Sequence, residues 1–173
     1  MNPMSDPEAL EVDPLFVKAL LAEDELGMAI RSHIYVERRI NQYLELTVSR
    51  PEHLEKLGLR YKQKAQLACC LGFDSTFLRA LEVLGELRNK FAHKIATQLT
   101  DELVTKLYDA LPPLGKVMVE KSFSRTKQQL NAGGEIKVVE LPAKDRFILI
   151  TLSLERALFA AILMIKADLQ DAS

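Results

Sequence analysis

Apolar residues recur along this chain at spacings of three and four, and the stretches they define are broken by Pro, Gly or helix-capping residues. The pattern predicts a first helix over 13–23, with Pro14 at the favoured first position after Asp13. A longer helix follows over 24–48, and a short one over 51–57 that Gly58 breaks. The periodicity resumes over 59–71 with Leu67 and Leu71, and Gly72 ends it as a left-handed cap. Asp74 or Ser75 then caps a helix over 76–94. Thr100 opens another that closes near Pro112 and Pro113, and 114–130 reads as a basic helix. Asn131-Ala132-Gly133-Gly134 interrupts the chain, the residues after it favour β structure, and a short extended arm is expected at 134–141. The last helix covers 145–169. These elements predict an all-α bundle of about six to seven helices around a long central helix. Residues 1–12 read as a flexible tail and 13–173 as one domain.

Composition narrows the classes of function. The 173 residues suit one domain that buries roughly 70% of its unfolded surface. With 23 Lys and Arg against 24 Asp and Glu, the net charge of −1 argues against a chain-wide basic face for duplex DNA, while leaving room for a local patch. No Trp is present and aromatics are 6%, so a broad base-stacking surface is not expected. Cys69 and Cys70 are adjacent, diverge by about 100° on a helix, and read as reduced thiols of a cytoplasmic protein. No His or second Cys pair stands at zinc-ligand spacing, so neither a metal nor another cofactor is expected. The acidic N-terminus lacks the apolar core of a signal peptide. Residues 147–165 are nearly all apolar and long enough to cross a bilayer. Glu155 and Arg156 fall at their middle and cost at least ~2.5 kcal/mol each there, which favours a buried helix and no membrane partner.

Three polar interruptions carry the candidate chemistry. Phe77, Leu81, Leu84, Arg88, Phe91 and Ile95 form one helical stripe, in which Arg88 alone is charged. A guanidinium there needs an anion or an opening onto a cavity. On the long helix, Leu26, Ile30, His33, Glu37, Ile40 and Leu44 form a second stripe that His33 and Glu37 interrupt, with Asn41 one turn further on. If the stripes face each other, Glu37 pairs with Arg88, and a buried pair of that kind fixes register without any chemistry. His33 alone reads as a satisfied core or interface histidine. The third signal is the run Arg88-Asn89-Lys90-Phe91-Ala92-His93. A straight helix sets Arg88 and His93 about 140° apart. Either the helix unwinds near Ala92, or the two residues contribute to a cleft between chains. His53 lies on a polar segment and reads as a surface residue.

This run resembles the motif of the HEPN superfamily of helical domains, an Arg followed after four to six residues by His, with a polar residue such as Asn89 after the Arg. The stretch 61–111 also resembles the mannitol operon repressor family: Lys62 and Lys64 near a helix start, Leu71-Gly72, the Arg-Asn-x-Phe-Ala-His run, and a helix after Thr100. About a third of the chain is covered. The resemblance implies a helical bundle that forms a homodimer through the motif-bearing helices. In active HEPN ribonucleases the motif residues of two protomers line a shared cleft and cut RNA without a metal. Carried onto this chain, His93 is the general acid or base, Arg88 stabilises phosphate charge, and Asn89 positions one or the other. Glu37 and His33 would support them, and Lys90 and Lys94 would add positive charge for nucleic acid. Such an enzyme leaves cyclic phosphate ends. Ile95 stands where toxin-type members often carry Tyr, a departure from the pattern that a nucleotidyltransferase antitoxin modifies.

Members of the repressor family point instead to a non-catalytic transcriptional regulator that acts through protein or nucleic-acid contacts. The expected partners are thus a second copy, RNA, or a protein such as an antitoxin. A DNA-reading helix after Gly72 would present Arg79, Glu82, Glu86 and Lys90, a mixed set that suits DNA poorly. The most basic stretch is Lys116, Lys121, Arg125 and Lys127, which a solvated face explains equally well. A third reading is a structural interaction module whose Arg88 only pairs with Glu37.

Overall fold

The computed structural model describes residues 14–93, 98–129 and 137–171. Among these the chain is all-α, as the periodicity predicts, with seven α-helices and no strand. They are α1 (Pro14–Ala22), α2 (Glu25–Thr47), α3 (Tyr61–Cys70), α4 (Leu78–His93), α5 (Asp101–Asp109), α6 (Pro113–Gln129) and α7 (Ala143–Asp171).

The helix starts follow capping chemistry. Asp24 accepts from the Gly27 N–H at 2.7 Å and opens α2. Thr100 accepts from the Leu103 N–H and opens α5. Asp74 caps a 3₁₀ turn, Ser75–Phe77, that leads into α4. Gly72 closes the turn after α3 at φ +107°, a left-handed conformation that glycine adopts without a Cβ penalty.

Two expectations change in detail. The helix predicted over 51–57 is a pair of 3₁₀ turns, Pro51–His53 and Glu55–Leu57, closed by Gly58 in the left-handed region. Three-residue turns bury none of their own side chains here, so nothing extends them into an α-helix. In the expected arm, residues 134–136 lie outside the described residues, while Val138–Glu140 forms a 3₁₀ turn between extended Lys137 and Leu141. The Glu140 carboxylate accepts from the Lys137 N–H at 3.0 Å and holds that turn. No described strand lies alongside to pair with it, so β propensity is not realised.

The core gathers on α2 and α7. Helix α2 packs against α1, α3, α4 and α7, and α7 packs against α2, α5 and α6. Helix α7 has 29 residues, about 43 Å at 1.5 Å per residue. It is long and apolar enough to cross a membrane, yet most of its apolar stretch is buried against other helices. Glu155, 2% exposed at its middle, accepts from Arg39 of α2 at 2.5 Å. Arg39 also lies 4.5 Å from the Phe159 ring centroid. Thr151 and Ser153 return their hydroxyl hydrogens to the carbonyls of Phe147 and Leu149, which lets polar residues sit inside the core. Helices α2 and α4 run antiparallel: Tyr43, Phe73 and Phe77 meet at one end, and Glu25 accepts from the Leu99 N–H at the other.

Candidate functional site

The site is built where α3 closes over α4 beside α2. Tyr61, the first residue of α3, donates its hydroxyl to the Leu81 carbonyl at 3.0 Å. Its ring lies on Gly85 so closely that a Cβ there would stand 2.9 Å from ring carbons Cδ1 and Cε1. Glycine inside a helix costs about 1 kcal/mol relative to Ala, and this close approach is the reason for it. Tyr61 also meets the His33 ring, centroid to centroid at 4.1 Å.

A cavity of about 470 Å³ opens here. Its walls carry His33 and Glu37 from α2, Arg60 and Lys62 around the start of α3, and Glu82, Glu86, Arg88 and Asn89 from α4. Four of the residues that the sequence singles out therefore meet: His33, Glu37, Arg88 and Asn89. Arg60, Tyr61 and Gly85 were not expected at a site. The one available signal was Gly85, a helix-breaking residue inside an otherwise strong helix.

The Glu37–Arg88 pair is not formed. The Glu37 carboxylate binds Lys64 of α3 at 2.7 Å and lies 3.7 Å from His33 Nδ1. Arg88 has no carboxylate within ion-pair distance among the described residues, and its Nη1 donates to the Asn89 side-chain oxygen at 3.1 Å. Helix α3 packs against both α2 and α4, and its Lys64 takes the Glu37 carboxylate. Burial pushes the His33 imidazole below its ordinary value. The Glu37 carboxylate opposes this, and Arg88 and Lys64 add to it, so His33 is held neutral near neutrality. Burial likewise raises the Tyr61 phenol, with Glu37 in support, and keeps it a hydroxyl donor.

The other motif residues lie elsewhere. Helix α4 continues through His93 without unwinding at Ala92. His93 is exposed at the helix end and is not among the residues lining the cavity. Within one copy Arg88 and His93 therefore do not form one compact site. Lys90 is exposed, and Lys94 lies outside the described residues, as does Ile95. Asn41 lines a separate cavity with Lys64 and Glu45. His53 is exposed beside Glu52, as expected of a surface residue. Cys69 and Cys70 are free thiols. Among the described residues no three His, Cys, Asp or Glu side chains cluster in a way that could hold a metal.

Comparison with protein-family models, with curated proteins and with solved structures gives no match for this chain.

Proposed function

We propose that this chain is a HEPN-like helical domain, close to the mannitol operon repressor family, that works as a homodimer and cuts RNA without a metal. The observation that carries this reading is the state of Arg88: its guanidinium faces a cavity, and no described carboxylate neutralises it. A purely structural pairing with Glu37 is thereby removed. In the proposed reaction His93 takes the proton of a ribose 2′-hydroxyl, whose oxygen attacks the adjacent phosphorus. The 5′-oxygen leaves and takes up the proton that His93 holds, and a cyclic phosphate end remains. Arg88 and Asn89 would offset the charge that develops on the phosphate oxygens. Exposed His93 lies on the same helix but away from the cavity, so the reading requires two copies to bring Arg88 and His93 together.

One feature favours a second reading, a non-catalytic regulator of the mannitol-repressor type. Leu26, Ile30 and Ile34 follow a spacing of four on α2, and Leu26 and Ile34 are exposed, a surface that suits protein contact. The two readings part in one experiment. The purified chain is incubated with structured and unstructured RNA in EDTA, beside His93→Ala and Arg88→Ala. Cleavage by the unaltered chain alone, with cyclic phosphate ends, is the expected result. Intact RNA in every lane would overturn the nuclease and leave the regulator.

A further inference from the structure

Three carboxylates line the cavity with Arg88, and helical geometry makes one of them its natural partner. Glu82 and Glu86 stand on α4 with Arg88, six and two residues before it. Residues on one helix face meet at separations of three and four, so these two do not face Arg88. They are also engaged, Glu82 by Lys62 at 3.0 Å and Glu86 by Lys106 at 2.8 Å. Glu37 comes instead from α2, which packs against α4. Glu37 and Arg88 share His33 as a neighbour: the carboxylate lies 3.7 Å from Nδ1, and the imidazole feels the charge of Arg88 as well. One cation competes with Arg88 for this partner. Lys64 Nζ holds the Glu37 carboxylate at 2.7 Å, with the two side chains 22% and 28% exposed. Shielding of that degree lets a charge pair keep more of its strength than on an open surface. Tyr61, three residues before Lys64, donates to the Leu81 carbonyl of α4 at 3.0 Å. The helix that carries the lysine is thereby tied to the helix that carries Arg88.

We infer that Lys64 is a positioning residue for Arg88: by occupying the Glu37 carboxylate, it keeps the guanidinium free of an ion pair and turned to the cavity. The inference rests on the reading of Arg88 as the group that stabilises phosphate charge. It extends that reading to a residue that does not line the same cavity, since Lys64 lies on the separate one beside Asn41 and Glu45. Without the ammonium, the Glu37 carboxylate is left partly buried beside a neutral imidazole. Arg88 relieves it, and the pair that the two sequence stripes suggest then forms. A guanidinium neutralised in this way no longer offsets charge that develops on a phosphate. The role of Lys64 lies in its charge. Lys64→Arg retains a cation for the same carboxylate, and Lys64→Gln does not.

The test is a double-mutant cycle on the folding of the full chain, read by urea denaturation. Glu37→Gln and Arg88→Gln are made in the parent and again in Lys64→Gln. Coupling between positions 37 and 88 should change the unfolding equilibrium constant by less than about 1.5-fold in the parent, and by about threefold or more once Lys64 is lost. Equal coupling in both backgrounds, or none in either, would overturn the inference. RNA cleavage in EDTA supplies the second readout. Lys64→Gln should lose about tenfold or more, and Lys64→Arg should stay within about threefold of the parent. Lys64→Gln combined with Glu37→Gln should recover most of the loss. Cleavage by Lys64→Gln equal to the parent's, or a loss that the double variant does not recover, would sink the role of Lys64 while leaving the nuclease intact. Coupling that appears only without Lys64, in a chain that cuts no RNA, would uphold the positioning and refute the nuclease.

Discussion

Arg39 of α2 and Arg88 of α4 are both half-buried arginines, and their surroundings differ in one respect. On the α7 side, Arg39 meets a carboxylate that is 2% exposed, and its guanidinium also rests on an aromatic ring. On the α3–α4 side, the nearby carboxylates are taken by Lys62, Lys64, Arg79 and Lys106, and Arg88 is left facing a cavity. The first arrangement closes a buried charge and contributes to holding the fold. The second leaves a charge available for a ligand. Residue type does not separate the two; the order in which neighbours claim the carboxylates does.

The comparison can be broken at several points. The largest effect is expected at Arg39. Arg39→Met leaves the Glu155 carboxylate buried without its cation and should lower stability by about 3 kcal/mol or more, read by urea denaturation. A loss below about 1 kcal/mol would show that the pair is not needed to stabilise the interior. Next in size is Gly85→Ala. In an open helix this change stabilises by up to about 1 kcal/mol. Here the new Cβ meets the Tyr61 ring at 2.9 Å, and a net loss of about 1–2 kcal/mol is expected, read by urea denaturation.

A smaller effect depends on pH. The folded chain holds the His33 imidazole below its ordinary value of 6.5. Above that value both folded and unfolded states carry it neutral, and its contribution to stability is complete. As pH falls below about 6.5, the unfolded chain takes up the proton first, so stability declines until the folded state is protonated too. His33→Phe should remove that part of the decline, seen as a shallower fall in urea midpoint between about pH 7.5 and pH 5. Parallel falls in both proteins would refute the assignment. The smallest change belongs to Arg88→Gln, whose stability, read by urea denaturation, should lie within about 0.5 kcal/mol of the parent even though RNA cleavage is lost. A large loss of stability there would make Arg88 a second Arg39.

Much of the architecture is legible in the residues. Asp24, Thr100 and Gly72 announce helix boundaries because capping is local chemistry, decided within a few residues. The Arg88 interruption is legible for the same reason, since one helical turn defines the stripe it breaks. Its partner was not. Whether Glu37 meets Arg88 or Lys64 depends on how α3 packs against α2 and α4, which no local spacing records. The stripe of α2 was also placed slightly off: Leu26 is exposed, while Met28, Ala29, Ser32 and Val36 face the interior. Ala29 and Ser32 are small residues whose burial comes from close helix packing rather than from hydrophobicity. Arg60 was missed because it precedes its helix and belongs to no stripe.

The Arg39–Glu155 contact has a consequence for the chain before it is folded. Taken alone, α7 satisfies the length and hydropathy of a bilayer-spanning segment, with a carboxylate and a guanidinium at its centre. Docking against α2 gives that carboxylate its cation and hides the apolar surface. Any opening of this contact displays a segment that membranes, chaperones and proteases all recognise. Cellular quality control would therefore respond to an opened α2–α7 seam.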